Sequence, residues 1–292
     1  MFKKILKWTG IVLLVLIVAL LGVYGYIHRN ISARMEKRYT FTAGEIPIAY
    51  DSSALQRGAH LVAIKGCTDC HGKDLAGRIM AEDFAIGRLA APNLTTGKGG
   101  LPKNYSENNW IMALRHGIAP DGRPLLLMPS HESTLLSQED LTALIAYCRS
   151  LPPVDKELPR NKVGPVARIM TYAGKMPLLS VEMIDHQRGI NAMPAKHDAF
   201  ATGKYLAVSC QGCHRPDMRG GEPLAPGFPP VPDITTSGPS GQWTIDQFRQ
   251  MLSTGKRPDG RQVSNDNMPW QMTAQYTPEE VEAIYTYLHK LN

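Results

Sequence analysis

The chain's first apolar feature is an unbroken run from Trp8 to Ile27 without a single charged side chain. A helix of that length spans about 30 Å, the thickness of a bilayer's hydrocarbon core. Trp8 at one end and Tyr24 and Tyr26 at the other suit the two interfaces, and Lys3, Lys4 and Lys7 precede the run. The pattern predicts a transmembrane helix, with residues 1–30 as a membrane anchor and residues 31–51 as a tether. A cleavable signal sequence has the same charged start. The run is long for one, however, and no small-x-small site follows it, so the anchor is expected to stay attached.

Beyond the tether the rhythm is helical and it occurs twice. Leu55, Ala59, Val62 and Ala63 recur at helical spacing and lead into Cys67. Gly203 to Val208 leads in the same way into Cys210. Later, Leu141, Leu144, Ile145 and Cys148 match Val281, Ile284, Tyr285 and Leu288, 140 positions on. These are i, i+3, i+4, i+7 faces made for burial. Ser137-x-x-Asp140 resembles a capping box, and Thr277-Pro278-Glu279-Glu280 is a fuller one with proline at the first helical position. Loops between these ends also repeat. Pro92-Asn93-Leu94-Thr95 returns as Pro232-Asp233-Ile234-Thr235, and Met128-Pro129 as Met268-Pro269. No sustained two-residue alternation appears in either repeat, so an all-α fold is expected, with domains at residues 52–152 and 200–292. The intervening residues 153–199 are rich in proline and weakly periodic. They predict an extended inter-domain linker, with a short helix over Arg168–Leu179 packed on a domain.

Each repeat carries the same chemistry. Cys67-Thr68-Asp69-Cys70-His71 and Cys210-Gln211-Gly212-Cys213-His214 are two Cys-x-x-Cys-His strings. This is the attachment signature of a c-type haem. Thiols three positions apart lie on one side of a helical turn and can form thioethers to the two vinyl groups of one porphyrin. The following histidine reaches the iron. Two zinc-binding Cys pairs are a poor alternative: the pairs stand 143 positions apart, and zinc has no use for a histidine after both. A redox disulfide would need a thioredoxin-like pattern, which is absent.

The motifs imply two covalently attached haem c groups, with His71 and His214 as proximal ligands. A sixth ligand is needed on each iron. Met128 lies 61 positions after Cys67 and Met268 lies 58 after Cys210, and both precede proline. A thioether is soft and favours Fe(II). Met80, Met112, Met218, Met251 and Met272 compete, but only Met128 and Met268 share both the aligned position and the proline. Met218 aligns with Leu75 and reads as apolar cover. The carbonyls of Pro92 and Pro232 are candidates to accept the proximal histidines' free N–H groups. Asn93, Thr95, Thr235 and Arg115 are candidate propionate partners.

Charge narrows the partners. The formal net charge is +6. Residues 1–50 hold seven Lys/Arg against two Asp/Glu, whereas residues 51–150 hold ten of each and residues 200–292 hold eight against nine. Neither repeat is basic, so the balance speaks of membrane flanks and not of nucleic acid. Of five cysteines the motifs use four, and Cys148 reads as a small buried apolar residue.

Both repeats resemble the mono-haem class I cytochrome c domain. The whole chain resembles membrane-anchored di-haem c-type cytochromes of bacteria and is similar to cytochrome subunits of membrane-bound flavin and quinoprotein dehydrogenases. Those subunits often carry three haem domains, where this chain has two motifs. The resemblance implies an electron carrier and not an enzyme. It would be held in the bacterial inner membrane by one span, with Met1 in the cytoplasm and the haem domains in the periplasm. Electrons would pass from a dehydrogenase or quinol-oxidising complex towards an oxidase or soluble cytochrome. The rival is a di-haem peroxidase-like enzyme, which needs an open iron position that two Met-Pro ligands would close.

Overall fold

A computed structural model describes residues 2–291 other than 43, 45, 196, 225 and 226; Met1 lies outside the described residues. Helix α1 spans Phe2–Glu36, and its apolar stretch is exposed along almost its whole length. It is long and apolar enough to cross a membrane. It runs six residues past the expected end of the anchor, and its last turns are packed, with Ile27 and Ile31 buried. The tether therefore begins as helix.

The first repeat is built on α2 (Ser52–Ile64) crossing α3 (Gln138–Ser150), and the second on α5 (Ala199–Leu206) crossing α7 (Pro278–Leu288). Both crossings are set by glycine. A Cβ on Gly58 would lie 2.1 Å from the Ala143 carbonyl oxygen, and one on Gly203 would lie 1.9 Å from that of Ala283. Only a residue without a side chain lets the two backbones approach so closely. In the second repeat α6 (Ile245–Thr254) packs Phe248, Met251 and Leu252 inward.

The repeats are not separate beads. One continuous apolar cluster runs from Leu61 and Ile64 through Leu144 and Ile145 to Leu206, Ile284 and Leu288. Polar groups complete the seam. Arg57 donates two hydrogen bonds of 2.8 Å to Asp140 and a longer one of 3.4 Å to Glu280, which His60 meets at 2.8 Å. Thr277 and Glu280 form the full capping box read from the sequence. Ser137 forms only half of one, because Asp140 faces Arg57 instead. The missing acceptor for the Ser137 N–H is the Tyr205 hydroxyl of the other repeat, at 3.0 Å. The same hydroxyl donates to Asp140 at 2.8 Å.

The fold is mostly helical, but the all-α expectation is too simple. A small antiparallel sheet joins β1 (Arg78–Asp83), β2 (Gly87–Ala91) and β3 (Lys162–Val163) in that order, with an irregularity between Ile79 and Ala81. Most of β1 is exposed, so the hairpin has no buried face to impose alternation on its sequence. β3 is only two residues long and leaves no pattern at all.

The linker is not a free strap. It folds back onto the first repeat through β3, through Asn161 bonded to both backbone groups of Ala90, and through the Lys156 ammonium on the Gly77 carbonyl. Its helix, α4 (Pro165–Tyr172), starts earlier than expected because Pro165 takes the first turn, where its missing N–H costs nothing. Leu178, Leu179 and Val181 are buried.

Candidate functional site

The two Cys-x-x-Cys-His strings fold as matching turns, and the loop after each is duplicated bond for bond. Gly77 N–H donates to the His71 carbonyl and Gly220 N–H to that of His214. Leu75 and Met218 stand in the left-handed region, at φ +54° and +60°, and both are buried. Their carbonyls accept from Leu94 and Ile234. This is the alignment of Met218 with Leu75 seen in three dimensions: apolar cover behind each attachment turn.

That loop returns the chain so that Pro92 and Pro232 face the histidines. Nδ1 of His71 donates to the Pro92 carbonyl and Nδ1 of His214 to the Pro232 carbonyl, each at 2.9 Å. A carbonyl only accepts, so Nδ1 carries the proton and Nε2 keeps its lone pair for a metal. Burial pushes both imidazoles below the usual histidine range, which favours this neutral, ligating form.

In the first repeat Cys67, Cys70, His71 and Met128 line one cavity, walled by Leu114, Leu136 and Leu144. Two thiols and an imidazole on one side, a thioether in the same cavity and an apolar wall are the donor set of a covalently bound haem, and the residues fit it. Burial pushes the Cys67 thiol up to about 12 and that of Cys210 up to about 11. Among the described residues no group of three or more His, Cys, Asp or Glu side chains gathers as a metal cluster.

The competing methionines are dispersed, and one of them, Met272, lies beside the first attachment turn, with its sulfur near Gly66. Met112 packs with Ile118 and Val181, and Met80 is exposed on β1. Met251 is buried on α6. Met268 packs against the continuous core. The polar residues divide. Asn93 bonds the Val154 carbonyl and so ties its loop to the linker, Thr95 bonds Asn93, and Thr235 bonds Asp233 within its own loop. Arg115 is buried, with Nη2 on the Arg188 carbonyl and Nε unpartnered.

The first cavity also takes residues that carry no motif. Lys65 and Glu132 line it, as do Tyr205, Val208 and Ser209 of the second repeat. Contact is reciprocal: Met272 Sδ comes within 3.0 Å of where a Cβ on Gly66 would stand, and Glu132 Oε1 within 3.0 Å of the same point on Gly212. Glu132 and Met272 occupy equivalent positions, four residues after Met128 and Met268. Each repeat thus places the residue beyond its methionine loop against the other's attachment turn. Both motif turns therefore lie at the seam between the repeats. Nothing in a single repeat signals this, because the contact exists only between repeats.

Comparison with known proteins agrees with this geometry. Residues 53–148 match the family model described as cytochrome c oxidase, cbb3-type, subunit III, and residues 200–292 match the one described as cytochrome c. The chain is 28% identical over 273 residues to the fructose dehydrogenase cytochrome subunit of Gluconobacter japonicus, covering 84% of this chain and 54% of that one. It is 25% identical over 272 residues to the cytochrome c subunit of the quinone alcohol dehydrogenase of Gluconacetobacter polyoxogenes, covering 82% and 56%. It is 23% identical over 270 residues to the gluconate 2-dehydrogenase cytochrome c subunit of Pantoea cypripedii, covering 82% and 60%. The chain spans little more than half the length of these relatives.

Proposed function

Because the chain carries cytochrome c domains and is homologous to cytochrome subunits of dehydrogenases, we propose that it is a membrane-held, di-haem electron carrier. It would take electrons from a dehydrogenase or quinol-oxidising complex and hand them to an oxidase or soluble cytochrome. The observation that carries this reading is the cavity in which Cys67, Cys70, His71 and Met128 meet, together with the duplicated histidine–proline bond in the second repeat.

When bound, haem c supplies an Fe(II)/Fe(III) couple. The chain's residues do the rest. Cys67, Cys70, Cys210 and Cys213 tether it. His71 and His214 offer Nε2, held by Pro92 and Pro232. Met128 and Met268 would be the thioether ligands in this reading, so peroxide would have to displace a thioether to react. Leu114, Leu136 and Leu144 keep water out of the first site. The placement of both motif turns at the seam supports transfer between haems within one chain. The exposed apolar run of α1 supports a single-span anchor, and covalent haem supports a periplasmic location for the domains.

An intact mass and a ligand titration test this. Two covalent haems per chain, both low-spin and inert to carbon monoxide and peroxide, are expected. Met128→Ala should open one site to carbon monoxide and Met268→Ala the other. A mass with one haem or none, or fast peroxide turnover by the unmutated protein, would defeat the reading.

A further inference from the structure

Helix α4 presents Val166, Ile169 and Tyr172 to solvent, at i, i+3 and i+6. Its opposite face is used, with Ala167 and Thr171 buried. Phe84, at the tip of the β1–β2 hairpin, is 89% exposed. The hairpin is bonded to the start of α4: Val166 N–H donates to the Ala85 carbonyl at 2.9 Å and Gly164 N–H to that of Ile86 at 2.8 Å. Scattered exposed apolar residues are ordinary, but four on two bonded elements call for an occupant.

The position of α4 names that occupant. It lies against α1 immediately beyond the apolar run. Arg168 donates to the His28 carbonyl at 3.3 Å and to the Ser32 hydroxyl at 2.9 Å. The rings of Tyr26 and Tyr172 meet edge to face at 6.0 Å. Tyr26 is itself exposed and closes the run whose side chains are bare from Ile11 to Val23. The exposed apolar surface of α1 therefore continues through Tyr26 and Tyr172 onto α4. The junction is fixed, because Ile27 and Ile31 are buried and Arg34 is ion-paired with Glu182. Tyrosines at such a level favour the boundary between headgroups and acyl chains, and the exposed cations Arg29 and Lys175 suit lipid phosphates.

We propose that α4 and the β1–β2 hairpin tip form a membrane-interfacial face, so that the first repeat rests on the lipid surface at a fixed height instead of swinging on a tether. This rests on the reading of α1 as a membrane anchor, and the occupant is the bilayer surface beside that helix.

The test uses the whole haem-loaded chain in vesicles of phosphatidylethanolamine and phosphatidylglycerol. The photo-crosslinker p-benzoylphenylalanine replaces Leu16, Phe84, Ile169 or Phe228 in turn, and lipid adducts are read by mass. All four sites are exposed, so none of the replacements disturbs the core. Adducts at Leu16, Phe84 and Ile169, with few or none at Phe228 of the second repeat, are expected. Adducts at Leu16 but not at Phe84 or Ile169 would overturn the proposal and leave the anchor standing. Crosslinks from Phe84 and Ile169 to protein alone, or lipid adducts as frequent at Phe228, would overturn it equally. No adduct at Leu16 would defeat the anchor reading, and this proposal with it.

Discussion

The hydroxyl of Ser180, a linker residue, donates to the backbone carbonyl of Met128. Ser180 is fully buried, and His131 Nδ1 lies 3.1 Å from the same hydroxyl. Next door, the Leu127 N–H donates to the Leu178 carbonyl, and Leu127 holds a left-handed φ of +61°. The linker thus braces the loop that carries Met128.

Ser180→Ala should loosen that loop, at a cost of about 1–2 kcal/mol for the lost bond. Imidazole should displace the first thioether more readily and lower that haem's potential, with the second haem unchanged. Ser180→Thr, which keeps the hydroxyl, should restore both. Spectroelectrochemistry with imidazole titration reads this. Equal shifts at both haems would refute the bracing role.

Asp140 is the buried acceptor of two bonds from Arg57 and one from Tyr205. Asp140→Ala should destabilise the haem-loaded protein by about 2–3 kcal/mol. That is at or below the low end for breaking a buried pair, because Arg57 is one-third exposed. Denaturant unfolding should show both haem environments lost together, since they share a core. Two well-separated transitions in the parent would contradict this.

At the helix crossings, Gly58→Ala and Gly203→Ala each set a methyl group against a backbone carbonyl that cannot move aside like a side chain. A loss of about 3 kcal/mol is expected from each, at the upper end for overpacking. Thermal melts of the two variants should fall by similar amounts.

Glu132 lies in the first cavity, where burial pushes its carboxyl up to about 7 while Lys65 pulls it down. The folded form then holds its proton where the unfolded chain has released it. Stability should fall as pH rises from about 4.5 towards 7 and level off above. Glu132→Gln should flatten that slope. Unfolding midpoints measured across this window test the sign, and a slope unchanged in the variant would reject it.

Much of this was legible in the sequence because it is local. Cys-x-x-Cys-His, the helical stripes and the Thr277 cap each lie within a few residues, and repetition made every one readable twice. The exposed hairpin was not legible, since nothing forces alternation on a strand with no buried face. Nor was the seam. Asp140 reads as the far half of a cap for Ser137, and only the folded chain gives that place to Tyr205 and turns Asp140 towards Arg57. Lys65 and Glu132 have no motif, and their meaning comes from the other repeat's approach.

The borrowed cap makes the two repeats non-interchangeable. Excised alone, the first would lose the hydroxyl that closes the start of α3, and the Ile64 carbonyl would lose its bond from Tyr276. Exchanging the order of the repeats would put Thr277, already capped by its own Glu280, where Ser137 needs help from outside. The pair, and not the single domain, is the smallest portable piece of this chain, so a graft onto another anchor has to carry residues 52–291 whole.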